Sequence, residues 1–410
     1  MRRSGRLNAE TPSGGRFVPS QGLRSSGRAL CLALAAFVGA GVGTFSSGQD
    51  VIENPTKPSA KNSGRVVALR EVARIVDEGA GYYFKFPFNL RVGTDGSVFV
   101  QEQEQLLHFD KDGRFVRNYF KKGQGPGEMV YCSDFWPVEK GLIVLSSSPP
   151  KILVFDEKGA VAQEKTYLSK TRGGMKIVGR TEEGLILSGS DSPFLNLPKT
   201  ADITDWVHHL FTLKNGAEAV EDRAVFPIRA YVIPSSRGGG GIIPVNAFLA
   251  HQVGLTDVIL SHTPEYLLKI YSLSTSRVTL QFRRAYERVK PDANAPKRGG
   301  VIIDGKTYTS APVKYTADIT NLVVVGDRFW VVTSTIDPAK GVLIDIYDRK
   351  GRYLDNFYLK FPENSTLKTL EANRSAVAEG FVHALMLTEE ETYAVVKYRI
   401  ADPAAGGVVR

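Results

Sequence analysis

The sequence predicts an all-β fold of repeated four-stranded antiparallel units, and three observations carry that expectation. A turn motif recurs five times in one order: FDKDG at 109–113, FDEKG at 155–159, TLKNG at 212–216, YSLST at 271–275 and YDRKG at 347–351. Around each turn stand short apolar runs that alternate with polar residues, the period of a half-buried strand. The last unit supplies only three strands, Ser375–Glu379, Phe381–Leu387 and Thr392–Ile400, while an alternating run at Val66–Val76 lies far upstream without a unit of its own. Pairing that N-terminal strand with the last unit closes a ring and removes its open edges. The closed ring has six units of four strands, a six-bladed β-propeller over 65–400. Seven blades, with one hidden in 283–316, or an open stack of sheets are the alternatives the spacing leaves.

The first unit is the most regular. Phe88–Val92, a GTDG turn in which Asp95-Gly96 supplies positive φ, Ser97–Gln101, Leu106–Phe109, the DKDG turn and Arg114–Phe120 make a four-stranded meander. Four such strands cannot bury both faces alone, so they need neighbours of the same kind. Blade two repeats the plan at Phe135–Val138, Leu142–Ser146, Lys151–Phe155 and Ala160–Thr166. Blade three follows at Met175–Gly179, Leu185–Gly189, Val207–Leu213 and Ala217–Phe226. Blade four (Ala247–Gln252, Asp257–His262, Tyr266–Tyr271, Arg277–Phe282) loses the turn glycine, and blade five (Asn321–Val325, Arg328–Ser334, Val342–Tyr347, Arg352–Leu359) restores it.

The chain has 410 residues, 42% of them hydrophobic and 23% charged, enough apolar content to bury a core. Its formal charge of +9 is concentrated at the N-terminus, where residues 1–48 hold six arginines against one glutamate, which leaves +4 for the remainder. The other Lys and Arg are interspersed with acids, so a nucleic-acid footprint is not expected. Arg24 and Arg28 precede an apolar run from Ala29 to Val42, closed by small residues up to Gly48. That run is short of the roughly 20 residues a spanning helix needs, so 1–48 reads as an export signal, with an uncleaved anchor as the alternative and as the only expected link to a membrane. The expected location is periplasmic or extracellular. Residues 49–64, polar and with two prolines, read as a flexible linker, and 401–410 as a tail. Cys132 alone remains after residue 48, so no internal disulfide is expected; its reading is a small buried apolar group.

After the FDKDG turn comes the bend GQGPGE, Gly123, Gln124, Gly125, Pro126, Gly127 and Glu128. The combination of FDxxG turn and GxGPGE bend resembles the six-bladed β-propellers found as exported bacterial proteins, related in shape to NHL-type propellers. As a repeat plan the resemblance covers 65–400, and it is sharp over 86–128. Blades three and four depart from it through insertions and the lost glycine. The resemblance implies the fold and export; it assigns no chemistry.

The motifs that suggest chemistry have plainer readings. A phosphate cradle at Gly123–Gly127 would need a helix N-terminus behind it, and the following EMVYCSDFW is strand-like. Pro126-Gly127 instead fits the centre of a type II turn. Arg237–Gly241 reads as a mobile loop. His208 and His209 are adjacent on a strand and point to opposite faces. His251 and His262, on the first two strands of blade four, are the weak candidates for an axial metal, a transition metal or calcium; neither HxH nor HExxH nor an acidic cluster accompanies them. Asp110, Asp112, Asp156 and Asp348 read as turn residues rather than calcium ligands. No Ser/His/Asp arrangement or carboxylate pair has catalytic spacing, so no cofactor and no catalytic residue is assigned.

The insertions Ser190–Trp206, Pro227–Asn246 and Arg283–Asp318 exceed ordinary turn lengths and are the expected functional loops. The third holds a hairpin, VIIDGKTY, and a basic set, Arg283, Arg284, Arg288, Lys297 and Arg298, as a candidate surface for an anionic ligand or partner. The expectation is an exported scaffold that binds a protein, a peptide or a carbohydrate-like ligand at its axial face and through the loops of blades three to five. A metal-dependent propeller enzyme of lyase or lactonase type is the competing class.

Overall fold

The computed structural model describes residues 50–77, 79, 81–168, 174–191, 197–292 and 300–401. The chain divides into two compact units, Met1–Phe45 and Ser46–Arg410; the first, with the expected export segment, lies outside the described residues, as do 402–410 of the expected tail.

The second unit is a six-bladed β-propeller. Blade one is β3 (Asn89–Val92), β4 (Val98–Glu102), β5 (Gln105–Phe109) and β6 (Phe115–Asn118), and blade two is β7 (Tyr131–Val138), β8 (Gly141–Ser148), β9 (Pro150–Phe155) and β10 (Val161–Thr166). Blade three contains β11 (Lys176–Thr181), β12 (Gly184–Ser190), β13 (Asp202–Lys214) and β14 (Glu221–Pro234), with an added fifth strand β15 (Gly240–Pro244). Blade four is β16 (Leu249–Val253), β17 (Asp257–Ser261), β18 (Leu268–Ser272) and β19 (Arg277–Arg284), edged by β1 (Val51–Asn54). A separate hairpin, β20 (Val301–Ile303) and β21 (Lys306–Tyr308), precedes blade five, which is β22 (Ile319–Val325), β23 (Arg328–Asp337), β24 (Gly341–Asp348) and β25 (Tyr353–Lys360). Blade six is β26 (Ser375–Ala378), β27 (Phe381–Leu387), β28 (Tyr393–Ala401) and, as expected, the N-terminal β2 (Arg65–Val76), antiparallel to β28.

Strand alternation explains why the blades stack. In β12, Leu185 and Leu187 pack toward blade two, whereas Ile186 faces blade four. The core accordingly falls into clusters at successive blade interfaces. Leu90 and Val100 of blade one meet Leu385 and Val395 of blade six in one of them, which closes the ring. The innermost strands contact in the order β3, β7, β11, β16, β22, β26 and back to β3. That circuit excludes the open stack, and the hairpin β20–β21 is too small to be a seventh blade.

The turns FDKDG, FDEKG and YDRKG share one hydrogen-bond pattern. Asp110 Oδ1 accepts from the N–H of Asp112 and Arg114, Asp156 Oδ1 from Lys158 and Ala160, and Asp348 Oδ1 from Lys350 and Arg352. These carboxylates are spent on backbone N–H groups, which is why aspartate recurs there.

The stretch 49–64, expected as a flexible linker, is tied down over its described length. Val51–Asn54 pair in parallel with Gln281–Arg284 of β19, and Asn54 bonds Gly351 O and Tyr353 N. Further along, Ala60 N and Gly64 N donate to the carbonyls of Leu354 and Asn356. Arg65–Ala68 then pair in parallel with Phe357–Lys360 of β25 before the chain enters blade six. Outer strands carry unpaired backbone groups, and this polar strap satisfies those of blades four and five.

Two of the expected loops are also strands. β13 and β14 run on as a ribbon, paired from Asp202↔Val232 to Val207↔Pro227, and β15 extends its far edge. Phe226, Ile228, Ala230 and Val232 alternate as buried positions. Pro227 breaks that pattern only in appearance, because it lies outside the β14–β15 pairing, where β14 has a free edge. Of Arg237–Gly241, expected as a mobile loop, Arg237–Gly239 lie in the turn of that hairpin, closed by Ser235 N to Gly239 O, and Gly240 and Gly241 open β15.

Candidate functional site

In an up-and-down blade, the connection from outer strand to next inner strand leaves from the same end as the turn between second and third strands. The β12–β13, β14–β16 and β19–β22 connections all satisfy this rule, so all three insertions crowd one end of the propeller. They also touch each other. Asp304, in the Asp304-Gly305 turn of the β20–β21 hairpin, accepts from Ser235 Oγ (2.9 Å) and Ser236 N (2.7 Å) in the β14–β15 turn. Gly241 of β15 lies against Val301 so closely that a Cβ would stand 2.2 Å from Val301 Cγ1. The two insertions thus form one arch. Exposed Phe86, Phe88, Leu168 and Ile302 sit on connections at this end, and exposed Tyr131 opens β7 there.

Below that end, polar side chains of the innermost strands converge on the axis. Asp134 of β7 is buried; its Oδ1 accepts from Asn89 Nδ2 (2.9 Å), and its Oδ2 from Arg91 Nη2 (2.9 Å) and Ile177 N (2.8 Å). One carboxylate thereby joins blades one, two and three. Arg91 also donates to Ile177 O (3.2 Å), and its guanidinium lies 4.7 Å from the ring centre of Trp136. It keeps 24% of its side-chain surface open, while its Nε is buried without a partner.

Lys176, the first residue of β11, has no ion pair among the described residues, and its surface is exposed although protein surrounds it. Burial holds its amine below the ordinary 10.5; Asp134 opposes that shift and Arg91 adds to it. His251, third in β16, lies against the Leu322 backbone, and loss of hydration with the Arg91 cation brings its pKa down to about 4. At neutral pH the cluster holds two cations, one carboxylate whose oxygens are occupied, and a neutral imidazole. Its net charge is positive and its uncommitted group is the Lys176 amine.

The sequence-derived candidates divide. The β16–β17 register sets His251 opposite Ile259, whereas His262 follows Ser261 and donates from Nδ1 to Pro227 O (2.9 Å) with its ring against Phe226. They do not share a site, and no group of three or more His, Cys, Asp or Glu suited to a metal ion occurs among the described residues. His209 bridges Asp191 and Asp222, and His208 packs between Trp206 and Phe248.

The bend is a hydrogen-bonded turn. Glu128 N donates to Gly125 O across Pro126-Gly127, with Gly127 at φ 72°, and Glu128 Oε2 accepts from Gly125 N. Gly127 N donates to Glu164, which also holds the buried Lys151, so the bend is clipped to blade two. Gly123 marks its start.

The basic set of the third insertion does not form one surface. Arg283 is exposed and engaged by Glu53 of the strap. Arg284 turns inward onto Asp345, among the rings of Tyr266, Tyr286 and Tyr353. Arg288 bonds Asp318 (2.9 Å) and Pro264 O. These charges are neutralised by acids of the strap, of blade five and of the insertion's own end. Lys297 and Arg298 lie outside the described residues.

Arg91, Asp134 and Lys176 were not singled out from the sequence. The available signal was an aspartate at an inward strand position beside Phe135 and Trp136. Cys132, as expected, is buried in that apolar neighbourhood, and burial pushes its thiol pKa up.

No curated protein matches the sequence. Among solved structures, the chain is similar to a Bacteroides fragilis protein provisionally named as exported, at 13% identity and a TM-score of 0.48, covering 86% of this chain and 100% of that one. It is also similar to a DUF4221 family member from Bacteroides vulgatus, at 9% identity and TM-score 0.46, covering 82% and 99%. The Pan2 WD40 domain of Neurospora crassa gives 9% identity and TM-score 0.41, covering 80% and 95%. Residues 89–171, which form blades one and two, match the family DUF5128, described as a 6-bladed beta-propeller, in agreement with the six blades of the whole ring.

Proposed function

We propose that the protein is an exported binding scaffold whose axial channel takes an anionic group of a protein, peptide or carbohydrate-like ligand. The observation that carries this reading is the Lys176 amine, without an ion pair among the described residues, near Arg91 and near an Asp134 whose two oxygens are already hydrogen-bonded. A cation held partly dehydrated by its surroundings regains favourable energy when an anion reaches it. The arch of the two insertions and the exposed aromatics at the same end supply the surrounding contact area. Export rests on the Ala29–Val42 run and its flanking arginines.

The test is an array of acidic and neutral oligosaccharides and peptides probed with the purified chain and with Lys176→Ala. Bound ligands should be acidic, and the variant should lose them. Ligands that are neutral, or that Lys176→Ala retains, would defeat the reading. A stoichiometric bound metal with hydrolytic or lyase turnover would favour the enzyme class instead.

A further inference from the structure

The propeller already shows how its outer edges are used. β1 adds in parallel to the outer strand of blade four, and Arg65–Ala68 of β2 add in parallel to that of blade five. The outer strand of blade two, β10, pairs only with β9, and nearly all of its residues are exposed. Among the described outer strands without a partner, β6 has 4 residues and β15 has 5, against the 6 of β10. β15 is moreover faced by the β20–β21 hairpin. β10 is therefore the longest described outer strand whose edge is free along its whole length.

That edge borders a cleft of about 460 Å³ between blades two and three, which Ala162, Gln163 and Lys165 of β10 line. The cleft walls are apolar: Ile152 and Val154 of β9 face Leu185 and Leu213 of blade three, and the first two are only partly covered by the core there. Its rim is cationic. Lys140, Lys165 and Arg180 have no ion pair among the described residues, whereas of the two acids at the rim Asp156 is spent on its own turn and Glu139 alone remains.

We propose that β10 receives an extended, acidic segment of a partner protein as an added strand. Its backbone would pair with the free edge of β10, as β1 does on blade four. Alternate side chains would then point to the face shared with Ile152 and Val154. Apolar residues on that face fill the cleft, and acidic residues meet Lys140, Lys165 and Arg180. This surface is separate from the axial channel, so either proposal can fail without the other.

The experiment uses the purified chain and a fluorescein-labelled nonapeptide of alternating Val and Asp. Two control peptides accompany it, one with Lys in place of Asp and one N-methylated at alternate residues. Fluorescence anisotropy should rise saturably with the acidic peptide and not with the Lys peptide. N-methylation, which removes the backbone donors, should abolish binding. Lys165→Glu, at a half-buried position lining the cleft, and Ala162→Asp, at an exposed one, should each weaken it by about tenfold or more. Absence of saturable binding overturns the proposal. So does binding that survives N-methylation, or that Lys165→Glu and Ala162→Asp leave unchanged, since that places the peptide elsewhere.

Discussion

Asp134 and Asp345 are both buried carboxylates that hold a guanidinium, one at the junction of blades one to three and the other between blades four and five. Asp345 takes Arg284 Nε (2.8 Å), Tyr266 Oη (2.7 Å) and Tyr353 Oη (2.7 Å), and the arginine side chain is 8% exposed. Asp134 takes as many donors, yet its arginine remains 24% exposed and faces the axis with Lys176 nearby. The chemistry of the two pairs is the same. What separates them is location: away from the axis an ion pair is sealed between sheets and serves cohesion, and on the axis it leaves a cation facing water. A charged residue in this fold is therefore read by the direction it faces, not by the run of charges in which it stands.

The largest effect that sharpens this contrast is expected at the sealed pair. Arg284→Ala leaves the Asp345 carboxylate buried without its counter-charge, at a cost of about 3–5 kcal/mol. Chemical denaturation should show that loss, whereas a cost below about 1 kcal/mol would mean the pair is hydrated and the contrast false.

Acid should act on the axial side. His251 titrates near 4 instead of the ordinary 6.5, and the half-buried His208 and the buried His262 and His383 are likewise held down to about 4, loss of hydration being the first cause for each. Their folded-state pKa values lie below the unfolded ones, so the stability they confer is full above about 6.5 and is lost as pH falls toward 4. Melting temperature should therefore be flat above pH 7 and decline between about 6.5 and 4. His251→Gln should flatten part of that decline, because it removes the protonation that adds a third cation to the cluster of Arg91 and Lys176. An unchanged slope would place His251 away from the channel.

A smaller effect calibrates both. Gly127→Ala touches neither pair, but φ 72° is costly for a residue with a Cβ, and that atom would lie 3.1 Å from Val161 Cγ2. A loss of about 1–2 kcal/mol in denaturation is expected, with ligand binding at the axis unaltered.

The legible part of the molecule was local. FDKDG and YDRKG announce their turns because the aspartate bonds N–H groups two and four residues on, and strand alternation is a property of a few neighbours. Ring closure was legible too, since an incomplete last unit and an orphan N-terminal strand imply each other. What stayed hidden depends on partners far along the chain. Val51–Asn54 is a strand only because β19 offers an edge some 230 residues later, and four residues ahead of a proline carry no trace of that. Arg284 looked like part of a basic surface, and only Asp345 turns it inward. Arg91, Asp134 and Lys176 stand on three different blades and become a cluster when the ring closes. The β13–β14 ribbon was cut short at Pro227 because a proline reads as a strand end, although here it occupies a free edge.

The most direct test compares Lys176→Ala with Arg284→Ala in one pair of assays, thermal melting and titration with an acidic ligand found on the array. Lys176→Ala should melt with the parent chain, its stability changed by no more than about 0.5 kcal/mol, and should lose the ligand. Arg284→Ala should melt well below the parent and, where folded, bind as before. A Lys176→Ala chain that binds the acidic ligand as tightly as the parent would contradict the account.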